Sequence, residues 1–292
     1  MRLPARRFVA ALFLTSASVL SAVATSLDDL PSRFAPYQGA RVHYKSLGTG
    51  SPAVVFVHGW SCDMGVWRGQ IPAVEGRIRA LFIDLPGFGR SDKPDVSYTM
   101  EYLAGAVDAV MQAAGVDRAV LVGHSMGTPV IRQFDRKFHA KVIALVVVDG
   151  PLRSYFKDPA DAQPFLASFE GPEAAAKVAQ MIEGMLTPAM DPAARADVMR
   201  AARETPPRVA ASAMKGMFDP AVWNDDPIRV PALAVMAPNR GWTPEYVEFV
   251  KRIAPGIRYE TMPGVGHFLM IEKPKEFNAL LDDFLKTQLL IR

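Results

Sequence analysis

The chain has 292 residues, of which 50% are hydrophobic, 22% charged and 9% aromatic. That composition excludes a disordered, collagen-like or disulfide-stapled chain and supplies apolar material for one large core. Of the 33 Lys and Arg that face 30 Asp and Glu, three (Arg2, Arg6 and Arg7) fall in the first 24 residues, which hold no acid; without them the charges balance, and no basic patch points to nucleic acid.

The N-terminus reads as a secretory signal. Arg2, Arg6 and Arg7 form a positive n-region, Phe8 to Leu20 an apolar stretch diluted by Thr15, Ser16 and Ser18, and Ala22-Val23-Ala24 a small-x-small cleavage site. The expectation is export, periplasmic or secreted, with cleavage near Ala24. The alternative is an uncleaved anchor. A spanning helix needs about 20 strongly apolar residues, and this segment is shorter and rich in Ala and Ser. Arg6-Arg7 leaves twin-arginine export open. No stable membrane span is expected in the mature protein. Cys62 is the only cysteine, so no internal disulfide can form and stability must come from an ordinary core.

From residue 41 short β-rich runs alternate with helical patterns. Val54–Val57, Ala80–Ile83, Ala119–Val122, Leu145–Val148 and Ala232–Met236 are continuous apolar runs, as buried parallel strands require. Arg258–Met262 is shorter and more polar, which suits a strand near an edge. Tyr102–Ala114 and Val130–Phe138 have helical spacing. The alternation predicts an α/β fold with a mostly parallel sheet covered by helices. Residues 151–229 break the rhythm: they hold no strong strand run, but they hold helical segments at Glu173–Leu186 and Ala193–Arg203, punctuated by prolines 159, 164, 172, 188, 192, 206 and 207. The expected organisation is a signal over 1–24, a core over 25–150 and 230–292, and a helical lid over 151–229.

The strongest chemical signal is Gly123-His124-Ser125-Met126-Gly127, which follows a buried strand and opens a helix. In that context G-x-S-x-G makes a sharp turn that exposes the serine, and the glycines leave room for close backbone approach. Three further motifs stand at strand ends. His58-Gly59-Trp60 follows the first apolar run. Asp84-Leu85-Pro86-Gly87-Phe88-Gly89-Arg90-Ser91-Asp92 follows the second. Gly264-Val265-Gly266-His267-Phe268 follows the last strand. With these four motifs in order, the sequence resembles the α/β-hydrolase superfamily over roughly residues 35–290, as a serine esterase or lipase-like member with a helical lid.

The resemblance implies a nucleophile elbow at Ser125, an oxyanion loop at 58–60 and a catalytic histidine at His267. Ser125 needs a base, and of the five histidines only His267 sits in a Gly-rich loop after the final strand. His43, in an early strand, and His139, after a helix, read as surface or packing residues. His124 should turn away inside the elbow, and His58 should hold backbone rather than move protons. The backbone N–H groups of Trp60 and Met126 are the expected oxyanion donors, each worth roughly 3 kcal/mol. The Trp60 ring either lines the acyl pocket or packs.

The orienting acid departs from the common pattern. Most of the superfamily places it after the strand that follows the lid, but here that loop reads Ala237-Pro238-Asn239-Arg240-Gly241-Trp242-Thr243, without a carboxylate. Glu245, after Pro244, fits a helix start, where an acid suits the dipole. Asn239 could bond an imidazole but carries no charge. Asp149, ending Val146–Val148, is the preferred acid: a minority of the superfamily places it there, and a charge ending a buried strand needs a partner. Bracing of the lid is the other reading of Asp149, and Asp84 is a weaker rival whose turn is usually structural.

Haloalkane dehalogenases and epoxide hydrolases of this fold resemble the chain but need a nucleophilic aspartate at position 125. No metal or dinucleotide motif is present, so no cofactor is expected, and Cys62 reads as a small packed residue. The lid holds Met181, Met185, Met190, Met199, Met214 and Met217 with Phe156, Phe165, Phe169, Phe218 and Trp223. These serve equally as an adaptable apolar acyl site or as the lid's own core. The expected function is serine-dependent hydrolysis of a carboxylic ester, on a small-molecule substrate, apolar if the lid side chains line its site. Lactone hydrolysis, C–C bond hydrolysis and cofactor-free perhydrolysis share the machinery. A non-catalytic ligand-binding protein is the reading from a different class.

Overall fold

The computed structural model describes residues 25–239 and 241–289. The expected signal, residues 1–24, lies outside the described residues. Among those described, no helix is long and apolar enough to cross a membrane.

Eight strands form one sheet: β1 Arg33–Tyr37, β2 Ala40–Leu47, β3 Ala53–Val57, β4 Arg79–Ile83, β5 Ala119–His124, β6 Val142–Val148, β7 Ala232–Met236 and β8 Arg258–Thr261. Their order is β1-β2-β4-β3-β5-β6-β7-β8. β1 and β2 form an antiparallel hairpin, β2 pairs antiparallel with β4, and every pairing from β4 through β8 is parallel. This is the expected α/β class. Every residue of β3, β5 and β7 is buried, which is why these strands are apolar without alternation. β1 and β8 are the edge strands, and no residue of β8 is fully buried.

The hairpin was not anticipated as a whole. β1 includes Pro36 and only Ala35 is fully buried in it, so neither composition nor pattern marks it as a strand; an edge is where a proline is accepted. Gln38 and Gly39 both take positive φ, +46° and +80°, as a two-residue turn that matches strand twist requires.

The helices are α1 Ile71–Val74, α2 Met100–Ala114, α3 Gly127–Lys137, α4 Gln163–Ala167, α5 Ala174–Met185, α6 Pro192–Glu204, α7 Pro207–Met217, α8 Pro244–Ile253, α9 Leu269–Glu272 and α10 Pro274–Leu289. α2 starts where Thr99 Oγ1 accepts the Tyr102 N–H at 3.1 Å and stops at Gly115, with φ +64°. α8 begins as expected, with Thr243 capping, Pro244 in the first turn and Glu245 beside the positive helix end.

Helices α4 to α7 all lie between β6 and β7, and no strand occurs in that interval among the described residues. α5 and α6 match the two expected segments to within a residue or two. Asp191 opens α6 by accepting the Ala193 and Ala194 N–H groups at 3.0 Å. α7 was not anticipated, because Pro206-Pro207 reads as a breaker, whereas Pro207 sits in the first turn, where its missing N–H costs nothing. α7 packs on α2 and α6 on the 3₁₀ stretch Met64–Gln70, so the inserted helices rest on the sheet domain. Arg132 and Arg136 of α3 both bind the Asp226 carboxylate, at 2.7 and 2.6 Å, and so pin the end of the insertion.

Because β3 to β8 run parallel, their C-terminal ends share one edge of the sheet. The loops carrying residues 58–60, 125, 149, 239, 242 and 267 all leave from that edge, where α/β sheets hold their sites.

Candidate active site

Ser125 stands between β5 and α3 with φ +52°, left-handed backbone that costs a non-glycine residue of order 1–3 kcal/mol. The turn is held by the Ser125 N–H on Val148 O, at 3.0 Å, and the Thr128 N–H on Ser125 O, at 2.9 Å. Gly127 lets α3 start this close to β3: a Cβ there would lie 2.5 Å from Val57 O. The four non-glycine residues with positive φ among those described are Gln38, Ser61, Ser125 and Asp149. Three of them surround this site; Gln38 belongs to the hairpin turn.

Asp149 leaves β6 with φ +41° and is 1% exposed at its side chain. Its Oδ2 accepts from His267 Nδ1 at 2.7 Å. Its Oδ1 accepts two donors, the Ala237 N–H at 2.9 Å and the Trp242 Nε1–H at 3.0 Å. Three donors thus satisfy the buried carboxylate, as burial of such a group requires. With Nδ1 donating, His267 Nε2 is left as the acceptor. Asn239 does not join this chain: its Oδ1 accepts the Gly241 N–H at 2.7 Å and so closes its own loop.

The 58–60 loop lies directly against the elbow. A Cβ on Gly59 would come 3.0 Å from Ser125 Cβ and 2.9 Å from His124 Nδ1. Neither the Trp60 nor the Met126 N–H has a protein acceptor among the described residues. His58 is fully buried, donates from Nδ1 to Gly59 O at 2.7 Å and accepts the Leu85 N–H at 3.0 Å. Burial pushes its pKa down, against the pull of Asp84. His58 is therefore a neutral brace between two loops, as expected.

Of the two readings of His43, surface or packing, the structure bears out packing: it is 1% exposed, its Nδ1 bonds Asp84 Oδ2 at 2.7 Å and its Nε2 bonds Ser32 Oγ at 3.0 Å. Asp84 also accepts the Met64 and Arg90 N–H groups, at 2.8 and 2.9 Å. Burial raises its pKa, but the donors from His43, Arg90 and Met64 outweigh that and hold it low. These residues stand outside the cavity lining, and Asp84 is taken up entirely by bracing its turn. His124 is buried as expected, but its Nε2 donates to the His267 carbonyl at 2.9 Å, and the two rings lie 4.6 Å apart. Burial pushes its pKa well down. His139 is exposed and bonds Asp135 at 2.8 Å.

Ser125 and His267 open into a cavity of about 630 Å³ whose other wall comes from the inserted helices. Met181, Met185, Met214 and Met217 line it with Phe156, Phe165 and Phe218. Met190 and Met199 are buried away from it. The methionines thus serve both expected roles, divided four to two. Trp60 does both as well: it lines the cavity, while its Nε1 donates to Ala210 O of α7 at 2.8 Å and its ring meets Phe169 edge-on at 5.2 Å. Cys62 is buried in the lining, and burial pushes its thiol pKa up. Sequence reasoning missed the Trp242 donor, the His124 brace and Tyr155, which lines the cavity and packs 5.8 Å from the Trp242 ring. The one available signal was an indole in the loop that lacks the acid.

A profile of the alpha/beta hydrolase family matches residues 54–280. Epoxide hydrolase 3 of Xenopus tropicalis is 26% identical over 284 residues, 87% of this chain and 77% of that protein. Among solved structures, Est816, described as an N-acyl homoserine lactone degrading enzyme, superposes with a TM-score of 0.69 at 26% identity, covering 86% of this chain and all of that one. The enol-lactonase from Burkholderia xenovorans LB400 superposes at 0.77 with 23% identity, over 87% of this chain and all of the other, a likeness of fold. With a match across most of its length and the elbow, sheet order and histidine loop in place, the chain belongs to the alpha/beta hydrolase family.

Proposed function

We propose that the protein is a serine hydrolase that cleaves a carboxylic ester through an acyl-enzyme on Ser125, with His267 as base and Asp149 as the orienting acid. The observation that carries this reading is the 2.7 Å bond from His267 Nδ1 to a buried, triply bonded Asp149, beside a serine on a strained elbow. Ser125 Oγ attacks the carbonyl carbon and gives its proton to His267 Nε2. The carbonyl oxygen becomes an oxyanion held by the Trp60 and Met126 N–H groups. The proton then passes to the departing alkoxide, which leaves as the alcohol. A water molecule repeats the sequence on the acyl-enzyme, giving the acid and restoring Ser125. Asp149 stays ionised and steadies the imidazolium.

Epoxide hydrolysis fits the chemistry poorly, in spite of the Xenopus relative. A carboxylate nucleophile opens an epoxide to an ester, which water can cleave; a serine would leave an ether, which it cannot. Lactone hydrolysis is the second reading, favoured by the likeness to Est816; a lactone is a cyclic ester, and the same steps open it. We also propose that helices α4 to α7 act as a lid over the cavity and that residues 1–24 direct export.

The test is hydrolysis of p-nitrophenyl esters from acetate to palmitate, with N-acyl lactones alongside and Ser125→Ala as control. Turnover that vanishes in the variant supports the reading, and the preferred chain length sizes the cavity. Turnover that survives in the variant overturns it.

A further inference from the structure

We propose that Trp242 is a positioning residue for the reaction, its indole N–H holding one oxygen of Asp149 so that the other faces His267; this rests on the reading of Asp149 as the orienting acid. The loop after β7 carries no carboxylate, yet it still serves the acid. It supplies both donors to Asp149 Oδ1, the Ala237 N–H at 2.9 Å and the Trp242 Nε1–H at 3.0 Å. In effect the acid stands on β6 and its hydrogen-bond clamp on the neighbouring strand, to which β6 pairs through Val148 and Val235.

The clamp has two consequences. With Oδ1 fixed, the carboxylate cannot rotate, and Oδ2 stays aimed at Nδ1 of His267. The indole donor also draws charge from the carboxylate, which limits how strongly Asp149 stabilises the imidazolium. The Trp242 ring is itself held, 4.7 Å from Tyr246 and 5.8 Å from Tyr155. Tyr155 follows β6 at the root of the inserted helices and lines the cavity. Trp242 therefore links the wall of the substrate cavity to the acid.

Few other groups can blur a pH profile here. His124, 4.6 Å from His267, has its pKa pushed well down by burial. Tyr155 and Tyr259 are raised by burial, with the Asp149 charge adding, Tyr259 to about 12. Glu272 accepts the Gly266 N–H at 3.1 Å in the histidine loop.

The experiment measures kcat and KM for an ester from pH 5 to 9 in the full chain, in Trp242→Phe and in a variant carrying 3-benzothienylalanine at 242. That residue keeps the indole shape but replaces N–H by sulfur. Asp149→Asn runs in parallel. The expected result is an acid limb moved upward by about half a pH unit or more in both Trp242 variants. With it should come a fall in kcat of about tenfold, the usual scale of a lost hydrogen bond to a charged group, and a KM little changed in the benzothienyl variant. An acid limb that stays put in the benzothienyl variant overturns the proposal, whatever happens to rate or stability. If Asp149→Asn leaves rate and profile unaltered, the acid assignment itself has failed, and the clamp falls with it.

Discussion

Replacing Asp149 by asparagine tests the acid with little disturbance to the fold. The geometry dictates how the new side chain must sit. Oδ1 accepts from Ala237 N–H and Trp242 Nε1–H, so that position has to remain an oxygen. The amide nitrogen then takes the Oδ2 position, 2.7 Å from His267 Nδ1, and points a hydrogen at it. His267 must answer with the opposite tautomer, Nδ1 accepting and Nε2 protonated. In that form Nε2 cannot take the proton of Ser125, and the charge that steadied the imidazolium is gone. The expected loss is about 10⁴ in kcat, or about 5.5 kcal/mol of barrier. Stability should change little, since both Oδ1 bonds survive. The assay is initial rates of p-nitrophenyl ester hydrolysis across pH, with urea unfolding alongside. Asn239→Ala is the control, expected within about tenfold of the wild type because Asn239 bonds only its own loop. A loss larger in Asn239→Ala than in Asp149→Asn, or an Asp149→Asn variant within tenfold of the wild type, would refute the reasoning.

Three other outcomes are expected. Ser125→Ala should lose on the order of 10⁶ in kcat while the protein still binds substrate-like esters, measurable by single-turnover assay and calorimetry; a loss under a hundredfold would contradict the mechanism. Arg132→Leu should destabilise by about 1–3 kcal/mol in urea unfolding, because it strips a 2.7 Å partner from Asp135, whose side chain is 3% exposed, and leaves it only the exposed His139; an unchanged midpoint would mean that the partner is dispensable. His58 and His124 are fully buried with pKa values pushed down by burial. The unfolded chain therefore binds protons that the native state refuses, and stability falls as pH drops below the unfolded value of about 6.5, by up to about 1.4 kcal/mol per pH unit for each. A urea midpoint unchanged from pH 7.5 to 5.5 would contradict that burial.

Much of the fold is legible because the sheet is parallel and buried on both faces. Val54–Val57 and Leu145–Val148 announce themselves as runs that no surface strand would carry. The same logic hides β1, where Arg33, Phe34 and Pro36 stand at an edge with one buried residue between them. α7 is hidden by a proline pair whose position, not its identity, decides its effect. In the site, Ser125 and His267 are legible from glycine-rich turns at strand ends. Asp149 stands out as a candidate acid through the resemblance, a minority of whose members carry an acid there, and because a charge ending a buried strand needs a partner. What settles its surroundings is long-range. The Ala237 and Trp242 donors come from 88 and 93 residues downstream, a distance over which no local pattern speaks. The choice between surface and packing for His43 is closed to the sequence for the same reason, since its partner Asp84 lies 41 residues away, just past the neighbouring strand.

The most direct test of the central claim is to trap the acyl-enzyme. The protein is mixed with excess p-nitrophenyl ester, quenched in acid within the first turnover, digested and mapped by mass spectrometry. The account predicts one acyl group on the peptide that contains Ser125, decaying in neutral buffer and absent from Ser125→Ala. An acyl group on any other residue, or full turnover with Ser125→Ala, would contradict it.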